Sequence, residues 1–384
     1  MSSDKKHALV FGASGISGWS ILNQALSYPT PTTFDQITGL TNRPLSIEDA
    51  GLPSDPRLQL ANGVDLTGSV ESVVSSLKEK VKNVETTTHV FFTAYIAADD
   101  FETAKKINTS ILDVAIRAVE QLAPKLQSVI LQTGGKGYGV EFPDKVTITA
   151  PLREDYPRIP KPYYENIFYY SQVDLLTSLS KGKSWTFSEI RPDVIVGFVP
   201  GTNFMNAAQG LGLYLSLYRA VYGEGAHVPF PGSQGGWKCK HSDTFQDILA
   251  KMEIYAALNV DKCGNGSAFN IADGEVTTWS QKWPGLCEYF GLVGEGPGEK
   301  YEPLDEFAKK NQGVWDGVVE RHGLKTGRLE SYGWPFLYFI MDKFDFDRQY
   351  DLSKARSVGF KETIDTVKGY TIAFDRMRAA KVIP

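Results

Sequence analysis

A doubly wound parallel α/β sheet, followed by a smaller and mostly helical lobe, is the fold class that this 384-residue sequence predicts. Three observations carry that reading. Short apolar runs alternate with stretches of helical spacing as far as residue 199, the pattern of repeated βαβ units. A glycine-rich turn joins the first run to its helix. Beyond residue 199 the alternation gives way to mostly helical spacing.

The elements follow in order. HALVF (7–11) is the first strand, and SGWSILNQALS after it is helical. QITGLTN (36–42) and RLQLANGVDL (57–66) carry the second and third strands, and SVESVVSSLKEKVKNV the next helix. HVFFTAY (89–95) precedes a long helix ending in AIRAVEQL, and SVILQTGG (128–135) is a fifth strand. A proline-rich loop around Pro157, Pro160 and Pro162 leads into a helix with Tyr169 and Tyr170; WTFSEIRP (185–192) is a sixth strand. SAFNIADG (267–274) reads as one more strand, and from Trp279 the pattern is mostly helical. The expected division is a nucleotide-binding domain of residues 1–198 plus 238–275. Residues 199–237 plus 276–384 make the discontinuous lobe.

Composition narrows the function. Forty Lys and Arg against forty-five Asp and Glu, with no polybasic run, argue against nucleic acid as a partner. Three cysteines without a CxxC pair and five scattered histidines give neither a disulfide framework nor metal-ligand spacing. The longest apolar stretch, YGWPFLYFIM, is shorter than the ~18 residues that read as a membrane span. A cytoplasmic enzyme free of metal is the expectation; whether it is a homodimer is left open.

Gly12, Gly15 and Gly18 form GxxGxxG between the first strand and its helix, with Ser14 inside the turn. Such a turn lets the backbone approach a pyrophosphate and aims helix N–H groups at it, the signature of a Rossmann-type dinucleotide site. The second strand ends in Thr41-Asn42-Arg43-Pro44, with no acid to bind a ribose 2′-OH. A guanidinium there suits a 2′-phosphate, so NADPH is the expected cofactor, the other reading being a solvated loop charge. Asp65 and Leu66, after the third strand, fit the adenine edge.

Ordinary short-chain dehydrogenases place a lysine four residues after the catalytic tyrosine. Here Asp174 stands four residues after Tyr170, and a carboxylate cannot lower a phenol's pKa. The nearest candidate cation is Lys136, in Leu131-Gln132-Thr133-Gly134-Gly135-Lys136-Gly137-Tyr138-Gly139. That segment, with Phe168-Tyr169-Tyr170-Ser171-Gln172-Val173-Asp174, resembles the LQTGxKHYxG and FYYxxED segments of the progesterone 5β-reductase/iridoid synthase-like family of extended short-chain dehydrogenases. Arg191-Pro192, Val196-Gly197-Phe198, Phe204-Met205-Asn206 and the Asp351 to Phe360 segment extend the resemblance nearly end to end. It implies Tyr170 and Lys136 as the catalytic pair. Gly12, Gly15, Gly18, Asn42, Arg43 and Asp65 would then line the NADPH site, and Tyr95, Phe204 and Asn206 the substrate pocket. Asn42 replaces the first of two arginines of plant members, which leaves Arg43 to hold the 2′-phosphate alone; Gly137 replaces a histidine, Val173 a glutamate and Tyr95 a tryptophan, which leaves substrate identity open.

The expected reaction is 1,4-reduction of an α,β-unsaturated carbonyl, a small apolar enone or enal of terpenoid or polyketide type from secondary metabolism. Donors would meet the charge that develops on the carbonyl oxygen. Two alternatives stand beside it: 1,2-reduction of a ketone or aldehyde at the same residues, and an NADPH-binding regulator without turnover.

Overall fold

The computed structural model describes residues 5–201, 203, 205–299, 302–329 and 332–384. The strands of its main sheet are β1 (His7–Phe11), β2 (Gln36–Thr41), β3 (Leu58–Asn62), β4 (His89–Phe92), β5 (Ser128–Gln132), β6 (Thr186–Pro192) and β7 (Ser267–Ile271). They lie in the order β7-β6-β5-β4-β1-β2-β3, every neighbouring pair parallel. The chain winds outward from β1 to β3, then returns and winds the other way from β4. The reversal between β1 and β4 is the switch point at which such sheets open a crevice beyond their strand ends.

β1 is buried along its whole length, as the centre of a sheet covered on both faces must be. Its alternate residues face opposite ways. Leu9 and Phe11 join an apolar layer with Val73 and Leu77 of α2 (Val70–Lys80) and Val119 of α3 (Phe101–Leu122). Ala8 and Val10 join the layer of Trp19 and Leu22, on α1 (Ile16–Ala25). The second layer runs on without a break to Trp279, Trp283 and Trp315 of the later helices, so the sheet and the helical lobe share one core.

That lobe is built on α5 (Ala207–Tyr222) and the helices Trp279–Tyr289, Gln312–His322 and Thr366–Ala379. Between α5 and β7 the helix Gln246–Leu258 returns the chain to the sheet, where the Ser20 hydroxyl donates to the Gln246 carbonyl at 3.0 Å. Two short parallel pairs, Val194–Val196 with Asp243–Phe245 and His227–Pro229 with Val293–Glu295, complete the architecture. A buried ion pair of Lys282 with Asp243, joined by the Tyr370 hydroxyl at 3.2 Å, ties two lobe helices to the strand Asp243–Phe245. Among the described residues no helix is long and apolar enough to cross a membrane.

Two sheet histidines are sealed in. His7 bonds the Thr38 hydroxyl at 2.9 Å through Nε2, and His89 bonds the Thr88 hydroxyl at 2.7 Å through Nδ1. Burial pushes both down to about 4. An unfolded histidine titrates near 6.5, so between pH 6.5 and 4 the unfolded chain takes up protons that the native chain refuses. Stability from these residues is present above that window and is lost as pH falls through it. Wild type should therefore lose stability relative to a His89→Gln variant between pH 7 and pH 4.5, by on the order of 2–3 kcal/mol in denaturant titrations. A constant difference across that range would contradict the assignment.

Candidate active site

The site begins at the turn after β1. Gly12 has φ +85°, and a Cβ there would lie 2.8 Å from the Ala94 amide nitrogen, in the loop after β4. A Cβ on Gly18 would collide with the Gly12 carbonyl, so only glycine lets α1 approach the turn. The Gly15 amide donates to the Gly12 carbonyl at 3.0 Å and closes the turn. Gly15 is the N-cap of α1 and offers no side-chain cap, so the first N–H groups of a ten-residue helix are left for an outside acceptor. A tight glycine turn at an uncapped helix start fits a dinucleotide pyrophosphate. Ser14, exposed on the turn, borders it.

β2 ends beside this cradle. The Thr41 hydroxyl donates to the Arg43 carbonyl at 2.7 Å, and Asn62 accepts from the Leu45 amide at 3.1 Å, which fixes the Asn42–Pro44 loop. Asn42 and Arg43 are both exposed, and the Arg43 guanidinium has no carboxylate partner among the described residues. It is free to take an anion. Asp65 accepts from the amide and hydroxyl of Thr67 at 2.9 and 2.8 Å, which holds its carboxyl below the usual carboxylate range. Leu66 packs at the edge of the α2–α3 layer.

β5 leads into the turn that carries Lys136. Its ammonium lies 2.9 Å from Glu141. Against this turn packs α4 (Phe168–Leu179), and its two adjacent tyrosines differ sharply. The Tyr170 hydroxyl is committed: it donates to the Gly137 carbonyl at 2.6 Å and accepts from the Ile159 amide at 3.1 Å. The Tyr169 hydroxyl faces Gly134, 3.6 Å from where a Cβ on that residue would stand, and has no hydrogen-bond partner among the described residues. Burial raises its pKa, and the nearby Glu141, Tyr95 and Glu189 raise it further. At neutral pH it is a protonated, uncommitted donor. The Tyr95 ring stacks at 5.8 Å on Phe168, whose ring meets Tyr169 edge-on at 4.5 Å, so Tyr95 lies at the same mouth.

One expectation for the substrate pocket changes. Asn206 spends its amide on the backbone: its Oδ1 accepts from the Gln209 amide at 3.2 Å and its Nδ2 donates to the Gly197 carbonyl at 2.9 Å. It is the N-cap of α5, not a pocket group. Phe204 lies outside the described residues.

The PRISE-like Rossmann-fold domain model matches residues 8–384. The chain belongs to that family. Short chain dehydrogenase ausT of Aspergillus calidoustus is 37% identical over 388 residues, covering 99% of this chain and 94% of that protein. (S)-8-oxocitronellyl enol synthase ISY1 of Nepeta racemosa is 30% identical over 98% of this chain and 93% of its own length. Among solved structures, GDP-mannoheptose C4 reductase of Campylobacter jejuni with NADP bound superposes with a TM-score of 0.61 at 13% identity, over 98% of this chain and 99% of that one. This PRISE-like protein is accordingly an NAD(P)-dependent oxidoreductase of the short-chain dehydrogenase superfamily.

Within this PRISE-like chain, the candidate residues read from the sequence did not include Tyr169, Glu141 or Arg158. Nothing in the spacing separates Tyr169 from its neighbour. Asn206, by contrast, carried a legible signal, since Asn followed three residues later by Gln209 is a helix-start pattern.

Proposed function

We propose that the protein reduces the C=C bond of an α,β-unsaturated carbonyl compound at the expense of NADPH, with Tyr169 as the proton donor to the carbonyl oxygen and Lys136 as the nearby positive charge. The observation that carries the reading is the uncommitted phenol of Tyr169 against the turn after β5 that carries Lys136. This moves the donor one residue from Tyr170, whose hydroxyl is already used twice.

Reduced nicotinamide supplies the hydride when bound. The chain supplies the rest. As charge builds on the substrate oxygen, the Tyr169 O–H is a ready donor, and Lys136 favours the enolate over the neutral ground state. Glu141 holds the ammonium in place meanwhile. A name among the relatives, 8-oxocitronellyl enol synthase, specifies an enol product and supports this polarity of reduction. The aromatic mouth of Tyr95 and Phe168 suits an apolar substrate.

The preference for NADPH rests on Arg43. Arg43→Ala should raise the Kd of NADPH about 10- to 100-fold, the worth of a charge-assisted contact, and leave NADH nearly unchanged. Equal losses for both cofactors would contradict it. The reaction class is tested by incubating the purified protein with NADPH and matched pairs of enones and saturated ketones. Consumption confined to the enones supports 1,4-reduction. Consumption with the saturated ketones makes it a 1,2-carbonyl reductase, and binding without turnover makes it a regulator.

A further inference from the structure

Between the Lys136 turn and α4 the chain makes a long excursion, residues 139–167, without a strand or an α-helix. Yet it has its own apolar cluster. Val146, Ile159 and Ile167 close around Tyr170, apart from the two layers that cover the sheet. Tyr170 is the centre of that cluster and also its bolt, since one hydroxyl bonds the Lys136 turn at Gly137 and the excursion at Ile159.

A second device holds the ring itself. The Arg158 guanidinium lies over the Tyr170 ring, 4.8 Å from its centroid, and grips both oxygens of Asp174 at 2.9 and 2.6 Å. It also donates to the Tyr164 hydroxyl at 3.0 Å. Asp174 stands one turn along α4 from Tyr170, the position from which other dehydrogenases present a lysine. Here the carboxylate reaches outward to a cation borne by the excursion. A planar, two-pronged contact of this kind fixes direction as well as distance.

We infer that Arg158 and Asp174 are positioning residues: they clamp residues 139–167 onto Tyr170, and through the Tyr170–Gly137 bond they fix the turn that presents Lys136. The inference rests on Lys136 being part of the reacting site, but the clamp itself can be read without any substrate.

The experiment combines hydrogen exchange with kinetics on the full-length protein. Arg158→Ala should speed exchange of peptides spanning 151–167 about tenfold, the combined worth of an exposed ion pair and a cation–ring contact, and Asp174→Ala about threefold, since the cation–ring contact stays. The double variant should match Arg158→Ala alone, because that substitution already breaks the ion pair that Asp174→Ala removes. Asp174→Glu should restore wild-type exchange. With an enone substrate, kcat should fall in step while the Kd of NADPH stays constant, since the glycine cradle is untouched. Unchanged exchange in the single variants, or effects that add in the double, would overturn the clamp. Faster exchange with unchanged kcat would overturn its link to Lys136. Failure of wild type to reduce any enone would instead sink the proposed reaction and leave the exchange result standing.

Discussion

Tyr169→Phe is expected to lower kcat for enone reduction by roughly 10²–10³, the cost of removing one donor from a developing oxyanion, about 2.7–4 kcal/mol. The substitution keeps the ring, its edge-on contact with Phe168 and its buried area, and deletes a hydroxyl that bonds nothing in the described structure. Stability should therefore hold. Tyr170→Phe makes the same chemical change one residue away and should behave in the opposite manner. It strips a half-buried carbonyl at Gly137 and a buried amide at Ile159 of their partner, so stability should fall by about 1–3 kcal/mol. Its kcat should drop less than that of Tyr169→Phe, through loosening of the Lys136 turn. Denaturant titration beside steady-state kinetics separates the two. If Tyr170→Phe is the crippled but stable variant, the donor is Tyr170, and its two backbone bonds must exchange for the substrate.

Lys136→Ala is the second large effect, expected to cut kcat about 10²-fold through loss of the positive charge beside the enolate. The ammonium is paired with Glu141 and partly exposed, so removing it should cost stability no more than about 1 kcal/mol. NADPH binding should persist, because the cradle of Gly12, Gly15 and Gly18 lies on another strand end. A variant with near-native kcat would show that another cation serves the site.

The sheet was legible because its chemistry is repetitive. Parallel strands buried on both faces must be runs of apolar residues, and all seven runs correspond to strands. Most of the readings overshot at the same end. As strands, HVFFTAY ends at Phe92, SVILQTGG at Gln132 and SAFNIADG at Ile271. There the chain leaves the ladder beside the glycine turn and the Lys136 turn, through residues such as Thr93 and Gly134 that still look apolar or small enough for a strand. The two short parallel pairs of the lobe, three residues per strand, are too brief for period-two alternation to register.

The candidate site was half legible. Gly12, Gly15, Gly18, Arg43 and Lys136 announced themselves by type and place. The choice between Tyr169 and Tyr170 did not, since neighbours on a helix differ by about 100° and both rings are apolar enough to pack. What separates them is a contact 11 residues upstream with Ile159, in a loop whose path no local pattern encodes. Asp174 shows the same limit. Its type correctly excluded it from activating Tyr170, yet its bond to Arg158 is a tertiary fact.

The central claim is that hydride goes to the carbon β to a carbonyl while Tyr169 and Lys136 hold the resulting enolate. Tracing deuteride from labelled NADPH into an enone product by NMR tests it most directly. Deuterium on the β-carbon of a saturated carbonyl product, lost in step in Tyr169→Phe and Lys136→Ala, is the predicted result. Deuterium on the carbonyl carbon of an allylic alcohol would contradict it.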